Sequence, residues 1–376
     1  MKRGKERVHF PETVALLVGT IIGAGVLGIP YVLAQSGFLF GLLNIAILGF
    51  IILMINLYVG EIALRTKKDH MLPGYAEKYL GKWGKIAITF STFFTLFGAM
   101  IAYVIGEGEV LAAFFGGNPI MWGWIFFIVF SGVIFFRLNI IAKSGLLLTT
   151  IVVGLIILIS LLAAPSMDFA NLGGGDIKNV FLPYGVILFA FAGISAIPEM
   201  EAELGKNKKK LKKAIILGSL IPISLYALFA FVVLGVTGTA TTEVATIGLG
   251  ELLGGNMVLF GNLFAFFAMA TSFILVGYAL KWMFYYDYNL SRGVSWILTW
   301  IIPLIFLLIF NGSFIGVIGL TGAVAGGIEG ILVVLMVLQA KKKGEVKPAY
   351  SIPMNWLIAA IFLLIFIFGI VYQFLF

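Results

Sequence analysis

Cysteine is absent from these 376 residues, so the chain can hold neither a disulfide nor a thiolate metal site, and nothing in it reports a redox compartment. Charge is scarce as well: 11% of residues are Asp, Glu, Lys or Arg, 61% are hydrophobic, and the mean hydropathy is +1.11. A soluble domain carries roughly a quarter charged residues, so this composition excludes a surface surrounded by water and calls for a bilayer. Histidine occurs only at His9 and His70, in polar segments without a metal-ligand neighbour. No catalytic constellation and no phosphate-cradling Walker loop is present, which argues against an enzyme, against a bound cofactor and against ATP as an energy source.

What the chain has in abundance is long apolar runs. A membrane-crossing helix needs about 20 mostly apolar residues. Eleven stretches fit, at 13–35, 38–64, 86–115, 120–136, 144–164, 181–200, 214–236, 256–280, 294–310, 313–338 and 355–375. The first lacks a small-residue cleavage site and runs into the second, so it reads as a retained span rather than a signal peptide. The net charge of +8 raises the question of a nucleic-acid partner. With the N-terminus inside and eleven crossings, however, every one of the 25 Lys and Arg residues except Lys178 falls on the inner side. They cluster in the tail (Lys2, Arg3, Lys5, Arg7), in successive inner loops (Arg65 to Lys85, Arg137 and Lys143, Lys206 to Lys213, Lys281 and Arg292) and in Lys341 to Lys347. This is the positive-inside bias. It implies a cytoplasmic N-terminus, an outward C-terminus and a place in the cell membrane, and it makes the charge a matter of topology rather than a nucleic-acid footprint.

The expected organisation is a cytoplasmic tail (1–12), a first five-helix repeat (13–164), a second repeat (181–338) and an eleventh helix (355–376). An odd number of spans per repeat inverts the second relative to the first. Both repeats carry related segments in their first span, Ala24-Gly25-Val26-Leu27-Gly28-Ile29-Pro30 and Ala192-Gly193-Ile194-Ser195-Ala196-Ile197-Pro198. Glycine weakens a helix and proline removes one of its hydrogen bonds, so both spans are expected to break at about the same depth. Broken spans in matching positions of two halves point to a transporter's binding site, with peptide dipoles facing each other across a solute-sized hollow. Two loops stand apart: 73–84, with Tyr75, Tyr79 and Trp83 among charges, reads as an amphipathic surface helix, and 235–255 reads as an outer segment that either dips back as a lid or packs at the interface.

Gly19, Gly23 and Gly25 lie mid-helix in the first span. Unwinding there frees backbone groups that are tolerated at membrane depth only where they line a cavity or meet a ligand. The outer half-helix, starting near Ala24 to Leu27, would turn free N–H groups and a positive dipole end toward a carboxylate, and the end of the inner half-helix would suit a cation. In the sixth span, carbonyls released around Ala192 and Gly193, together with Ser195, would meet an ammonium group, with Phe191 either an aromatic wall or plain packing. In span eight, Ala268, Thr271 and Ser272 place a carbonyl and two hydroxyls on one helical face, a set of hard oxygen ligands.

The pattern Gly19, Gly23, Gly25 and Pro30 resembles the amino acid permeases, with the amino acid/auxin permease family as the best match. That family belongs to the amino acid–polyamine–organocation superfamily, whose members share the LeuT-type fold. The run Ala99-Met100-Ile101-Ala102-Tyr103-Val104-Ile105-Gly106 and the Phe-Ala-Gly, Ile-Pro-Glu pattern of 191–199 are similar to its tyrosine and tryptophan permease branch, and the resemblance covers about residues 11–338. It implies an all-α integral membrane fold with a five-plus-five inverted repeat and discontinuous helices 1 and 6. It further implies carboxylate binding by the backbone of Gly23, Ala24 and Gly25, a pocket lined by Tyr103, and a sodium site in which Gly19 and Ile22 join Ala268, Thr271 and Ser272. Proton-coupled relatives of another branch carry a lysine in mid-span five, where this chain has only Lys143 at the inner edge, yet much of the aromatic branch is proton-driven.

Coupling to sodium and coupling to protons therefore both stand, the proton candidates being Glu107 and Glu329, ionisable groups at membrane depth. Glu109 lies nearer the surface. Glu199, Glu201 and Glu203 are placed to pair with the adjoining lysines, and Glu61 with Arg65 at i, i+4. The expected activity is symport of neutral amino acids, with aromatic or branched ones as candidates, by alternating access around spans 1, 3, 6 and 8. An amino acid sensor of the same fold that does not transport is the alternative.

Overall fold

The computed structural model describes residues 10–135, 145–286, 288–309 and 312–375. The basic tail residues with His9, and the loop residues Arg137 and Lys143, lie outside them. The described residues form helices and connecting turns, without a strand. The first span is two helices, α1 (Phe10–Ile21) and α2 (Gly25–Ser36), bent by 54°. The regular pattern ends with the Ile22 amide on the Val18 carbonyl (2.8 Å) and restarts with Leu27 on Ala24 (3.0 Å). Gly23 and Ala24 fall between, where glycine makes departure from the helix cheap.

The chain continues through α3 (Phe38–Arg65), α4 (Leu72–Phe115), α5 (Pro119–Phe135) and α6 (Gly145–Ala163). Its second broken span comprises α7 (Pro183–Ala190) and α8 (Ile197–Leu204). Phe191, Ala192 and Gly193 leave the helix there, and a 3₁₀ turn over Ile194–Ala196 precedes the restart at Ile197. Then follow α9 (Leu211–Thr237), α10 (Ala245–Leu253), α11 (Gly255–Tyr286), α12 (Arg292–Ile309), α13 (Phe314–Thr321), α14 (Gly327–Lys343) and α15 (Trp356–Leu375). Among the described residues nine helices are long and apolar enough to cross a bilayer, and the bent pair α1–α2 makes a tenth. The apolar helix α5, with 17 residues, is shorter.

Both segments with a character of their own are helical. The surface stretch begins at Leu72 and is joined to the third span at Gly81, whose φ of +78° lies in the region glycine favours. Tyr75 and Tyr79 are buried and Trp83 is exposed. In the other loop, α10 packs against α2, α9 and α11 with Val244, Ala245 and Leu249 buried. The adjoining Glu243 carboxylate accepts the Ile315 amide at the start of α13 (2.9 Å).

At the lysine-rich face Glu61, on α3, is fully buried and has the expected partner Arg65 (2.8 Å). It also accepts from Lys341 (2.8 Å), Ser351 (2.8 Å) and the Ile352 amide (2.7 Å). Tyr350 donates to the Leu57 carbonyl and Tyr58 to Pro353. One carboxylate thus ties the end of α3 to α14 and to the connection leading into α15. Glu201 pairs with Lys208, as charge complementarity beside the lysine loop suggested.

Removing one member of a buried charge network leaves the others uncompensated, at a cost of about 3–5 kcal/mol. Arg65 and Lys341 retain partial access to solvent, which points to the lower end of that range. Glu61→Ala is therefore expected to lower the thermal unfolding midpoint of the purified protein by several degrees, with Glu61→Gln losing less; an unchanged midpoint in both variants would show that the network contributes nothing.

Candidate substrate and ion site

The two breaks touch. A Cβ on Gly25 would lie 2.5 Å from the Cα of Ala190, the last residue of α7, and one on Gly193 would lie 2.5 Å from Cγ1 of Ile21, the last residue of α1. Each break therefore supplies a glycine against which the other packs, the small-residue approach that lets membrane helices come close.

Between the breaks stands Tyr226 of α9, fully buried. Its hydroxyl faces the Ile21 carbonyl at 2.9 Å and the Ala190 carbonyl at 3.3 Å as donor, and lies beside the Gly23 amide. Its ring stacks on Phe191, with centroids 5.4 Å apart and planes 16° apart. Phe191 is thus packed inside the bundle rather than turned to lipid. The hollow expected between the two breaks is occupied here by the Tyr226 side chain, whose hydroxyl lies beside the Gly23 amide.

Beside this junction lie Tyr103 of α4 and Ser272 of α11. A Cβ on Gly23 would sit 3.5 Å from the Ser272 hydroxyl and 3.8 Å from that of Tyr103, and these two hydroxyls are hydrogen-bond partners. The candidate sodium ligands are only partly gathered. Ser272 faces the break, while Thr271 donates back to Phe267 on its own helix (2.6 Å), which leaves its lone pairs free. Gly19 packs against the Thr149 hydroxyl of α6, an oxygen that the sequence reading did not include.

Of the carboxylates, Glu107 lies one turn from Tyr103, is fully buried, and has neither oxygen in a geometrically complete hydrogen bond; it rests against the backbone of Ala270. Glu329 is elsewhere. It is only partly buried and lies beside Ser91, whose hydroxyl donates to the Ala325 carbonyl (2.9 Å) and which is about 18 Å along α4 from Tyr103.

Access is one-sided. Val26, Leu27, Ile29 and Leu33 on α2 are fully buried, whereas Glu12, Gly19 and Thr20 on one face of α1, and Ser195 beyond the second break, are exposed. This polar stripe climbs from the start of α1 to the break. An aqueous route from the lysine-rich face accounts for it better than lipid contact, because a carboxylate is costly against hydrocarbon.

A model of the tryptophan/tyrosine permease family matches residues 8–373. The chain belongs to that family. The resemblance to amino acid permeases is thereby placed in the aromatic branch rather than under the amino acid/auxin label. The permease is 26% identical to glutamine transporter 2 of Aliivibrio fischeri over 347 residues, 87% of this chain and 88% of the relative. It is 28% identical to tyrosine-specific transport system 1 of Haemophilus influenzae over 353 residues, 87% of each. Among solved structures, MhsT in complex with L-phenylalanine aligns with a TM-score of 0.66 over 99% of both chains at 15% identity. Mhp1 in an inward-facing conformation gives 0.61 over 97% of this chain and 88% of that one at 14% identity. At such identities the structures show the fold, which is the all-α LeuT-type membrane architecture with discontinuous helices 1 and 6.

Tyr226 was missed because nothing in its neighbourhood resembles the two broken motifs. The available signal was a tyrosine in mid-span, away from the interfacial belts where tyrosine is usual, and therefore in need of a buried partner.

Two measurements test this geometry. Gly25→Ala forces backbone apart at Ala190, and overpacking of this kind costs about 1–3 kcal/mol; the variant is expected to melt earlier and to lose ligand binding, and wild-type behaviour in both would contradict the close approach. Because the chain has no native cysteine, single cysteines report access cleanly. Thr20→Cys and Ser195→Cys are expected to react with a membrane-impermeant thiol reagent applied to the lysine-rich face, and Leu27→Cys to stay protected from it.

Proposed function

We propose that this permease is an ion-coupled symporter of neutral amino acids in the cell membrane, working by alternating access around the paired breaks. The observation that carries the reading is the convergence of the two discontinuities on one point, because free peptide groups at membrane depth persist where a solute uses them. In this reading eleven spans cross the bilayer, α5 among them, with inverted repeats at 13–164 and 181–338, the N-terminus cytoplasmic and the C-terminus outside.

The start of α2 offers the amides of Ala24 and Gly25, with Gly23, to a carboxylate at a positive dipole end. The end of α7 and the turn through Ala192, Gly193 and Ser195 offer oxygens to the ammonium group, and Tyr103 and Phe191 form aromatic walls. The relatives are named for glutamine, tyrosine and tryptophan, which supports a neutral amino acid and leaves the side chain open, the aromatic walls favouring an aromatic or branched one.

Two coupling ions each have an observation in their favour. Protons are favoured by Glu107, a buried carboxyl without a cation beside it and one turn from Tyr103, whereas Glu329 is too remote to share the site. Sodium is favoured by the oxygens of Gly19, Ile22, Ala268, Thr271 and Ser272, to which Thr149 adds another. One positive charge moving through 100 mV gains about 2.3 kcal/mol, enough for roughly fifty-fold accumulation.

Uptake of radiolabelled tyrosine, tryptophan and glutamine into proteoliposomes under an imposed proton or sodium gradient tests the proposal. Concentrative uptake is expected with one of the gradients. Glu107→Gln is expected to reduce proton-driven accumulation at least tenfold while sparing exchange, and Thr271→Ala with Ser272→Ala to remove any sodium dependence. Binding without accumulation under either gradient would instead indicate a sensor, and neither binding nor uptake would refute the reading.

A further inference from the structure

The Tyr226 hydroxyl occupies a place built for a cation. Ile21 closes α1 and Ala190 closes α7, so both carbonyls sit at the negative ends of half-helices, where positively charged donors are favoured. A single neutral O–H faces both. It has one proton for two acceptors, at 2.9 Å from Ile21 and 3.3 Å from Ala190, so the second is the less well satisfied. An ammonium group brings several protons and a charge, and its hydrogen bonds to such carbonyls are roughly twice as strong as neutral ones.

We infer that the Tyr226 hydroxyl is a built-in competitor of the substrate's ammonium group, which must take the Ala190 carbonyl, and with it the break of the sixth span, from the tyrosine as it binds. The inference deepens the proposed function and rests on it. The stacking of Tyr226 on Phe191 links the two events. Phe191 belongs to the unwound turn itself, so a ligand that reorders this turn also moves the ring on which Tyr226 lies. In the absence of substrate the same hydroxyl satisfies the Ile21 carbonyl at the end of α1. Tyr226 is accordingly a positioning residue that sets how much of the amine's binding energy remains for affinity.

Removing a competitor tightens binding, whereas removing a structural prop or a direct ligand does not. Dissociation constants of full-length protein in lipid nanodiscs for L-tyrosine, L-tryptophan and L-glutamine, in wild type and Tyr226→Phe, therefore decide the matter. The des-amino analogues 3-(4-hydroxyphenyl)propionate and indole-3-propionate serve as controls. Tyr226→Phe keeps the ring and is expected to bind the amino acids about five- to tenfold more tightly, the worth of one competing hydrogen bond, with no change for the des-amino acids. Unchanged or weaker amino acid binding in the variant overturns the inference, and so does equal tightening of the des-amino acids. If Tyr226→Phe cannot be recovered folded, Tyr226→Met is measured in its place; it too removes the hydroxyl while keeping an apolar side chain between the breaks. It is expected to tighten the amino acids two- to threefold, and no tightening counts against the inference. Failure of the wild type to bind any of the three amino acids would be visible before any variant is made, and would remove the proposed function together with this inference.

Discussion

Hydrocarbon offers a peptide group no hydrogen-bond partner, and the centre of this molecule is arranged around that constraint. Two helices stop halfway through the membrane, at Ile21 and at Ala190, and each leaves carbonyls that would be costly to strand. The structure meets the cost locally. The ends face a common point, a tyrosine hydroxyl bridges them, and glycines at 25 and 193 let each break rest against the other. Groups satisfied in this provisional way can be re-satisfied by a solute at little net cost, which is what a carrier needs from its binding site.

The periphery contrasts with this centre. Glu61 is held by two cations, a hydroxyl and an amide, and it fixes the end of α3 to α14 and to the approach to α15. Its donors outnumber its oxygens, and no ligand would replace them. The π-helical turn Gly322–Gly326 is similarly committed, because Gly322 lies directly against the Gly185 carbonyl and Phe189 of α7. Helix α7, the first half of the sixth span, is thus closely backed by this turn, and the irregular backbone begins only after Ala190.

The helical, membrane-spanning architecture and the depth of both breaks were legible in the sequence, because apolar length and glycine–proline placement act locally. Gly23, Ala24, Phe191 and Gly193 lie where the motif placed them. Glu61 with Arg65 was equally legible, an i, i+4 pair on one helix, whereas Lys341, Ser351 and Ile352 join it only through tertiary folding. Tyr226 and Thr149 escaped for the same reason. Their part depends on how α9 and α6 are rotated against α1, and helices as uniformly apolar as these carry little periodic signal to report that rotation. Helix spacing alone put Glu107 a turn from Tyr103, whereas the remoteness of Glu329, beside Ser91, emerged only from the fold.

The seal on the far side of the breaks is made of unlike parts. Gly28 of α2 admits the side chains of Ile315 and Ile318 from α13, an apolar contact that can separate by sliding. The Glu243 carboxylate instead holds the Ile315 amide, a directional bond from the connection that leads into α10. Helix α10 itself packs against α2, α9 and α11, so this side of the break is closed by α2, α10 and α13 together. The Tyr226 bond to Ile21 belongs to α1, on the other side of the break from these contacts.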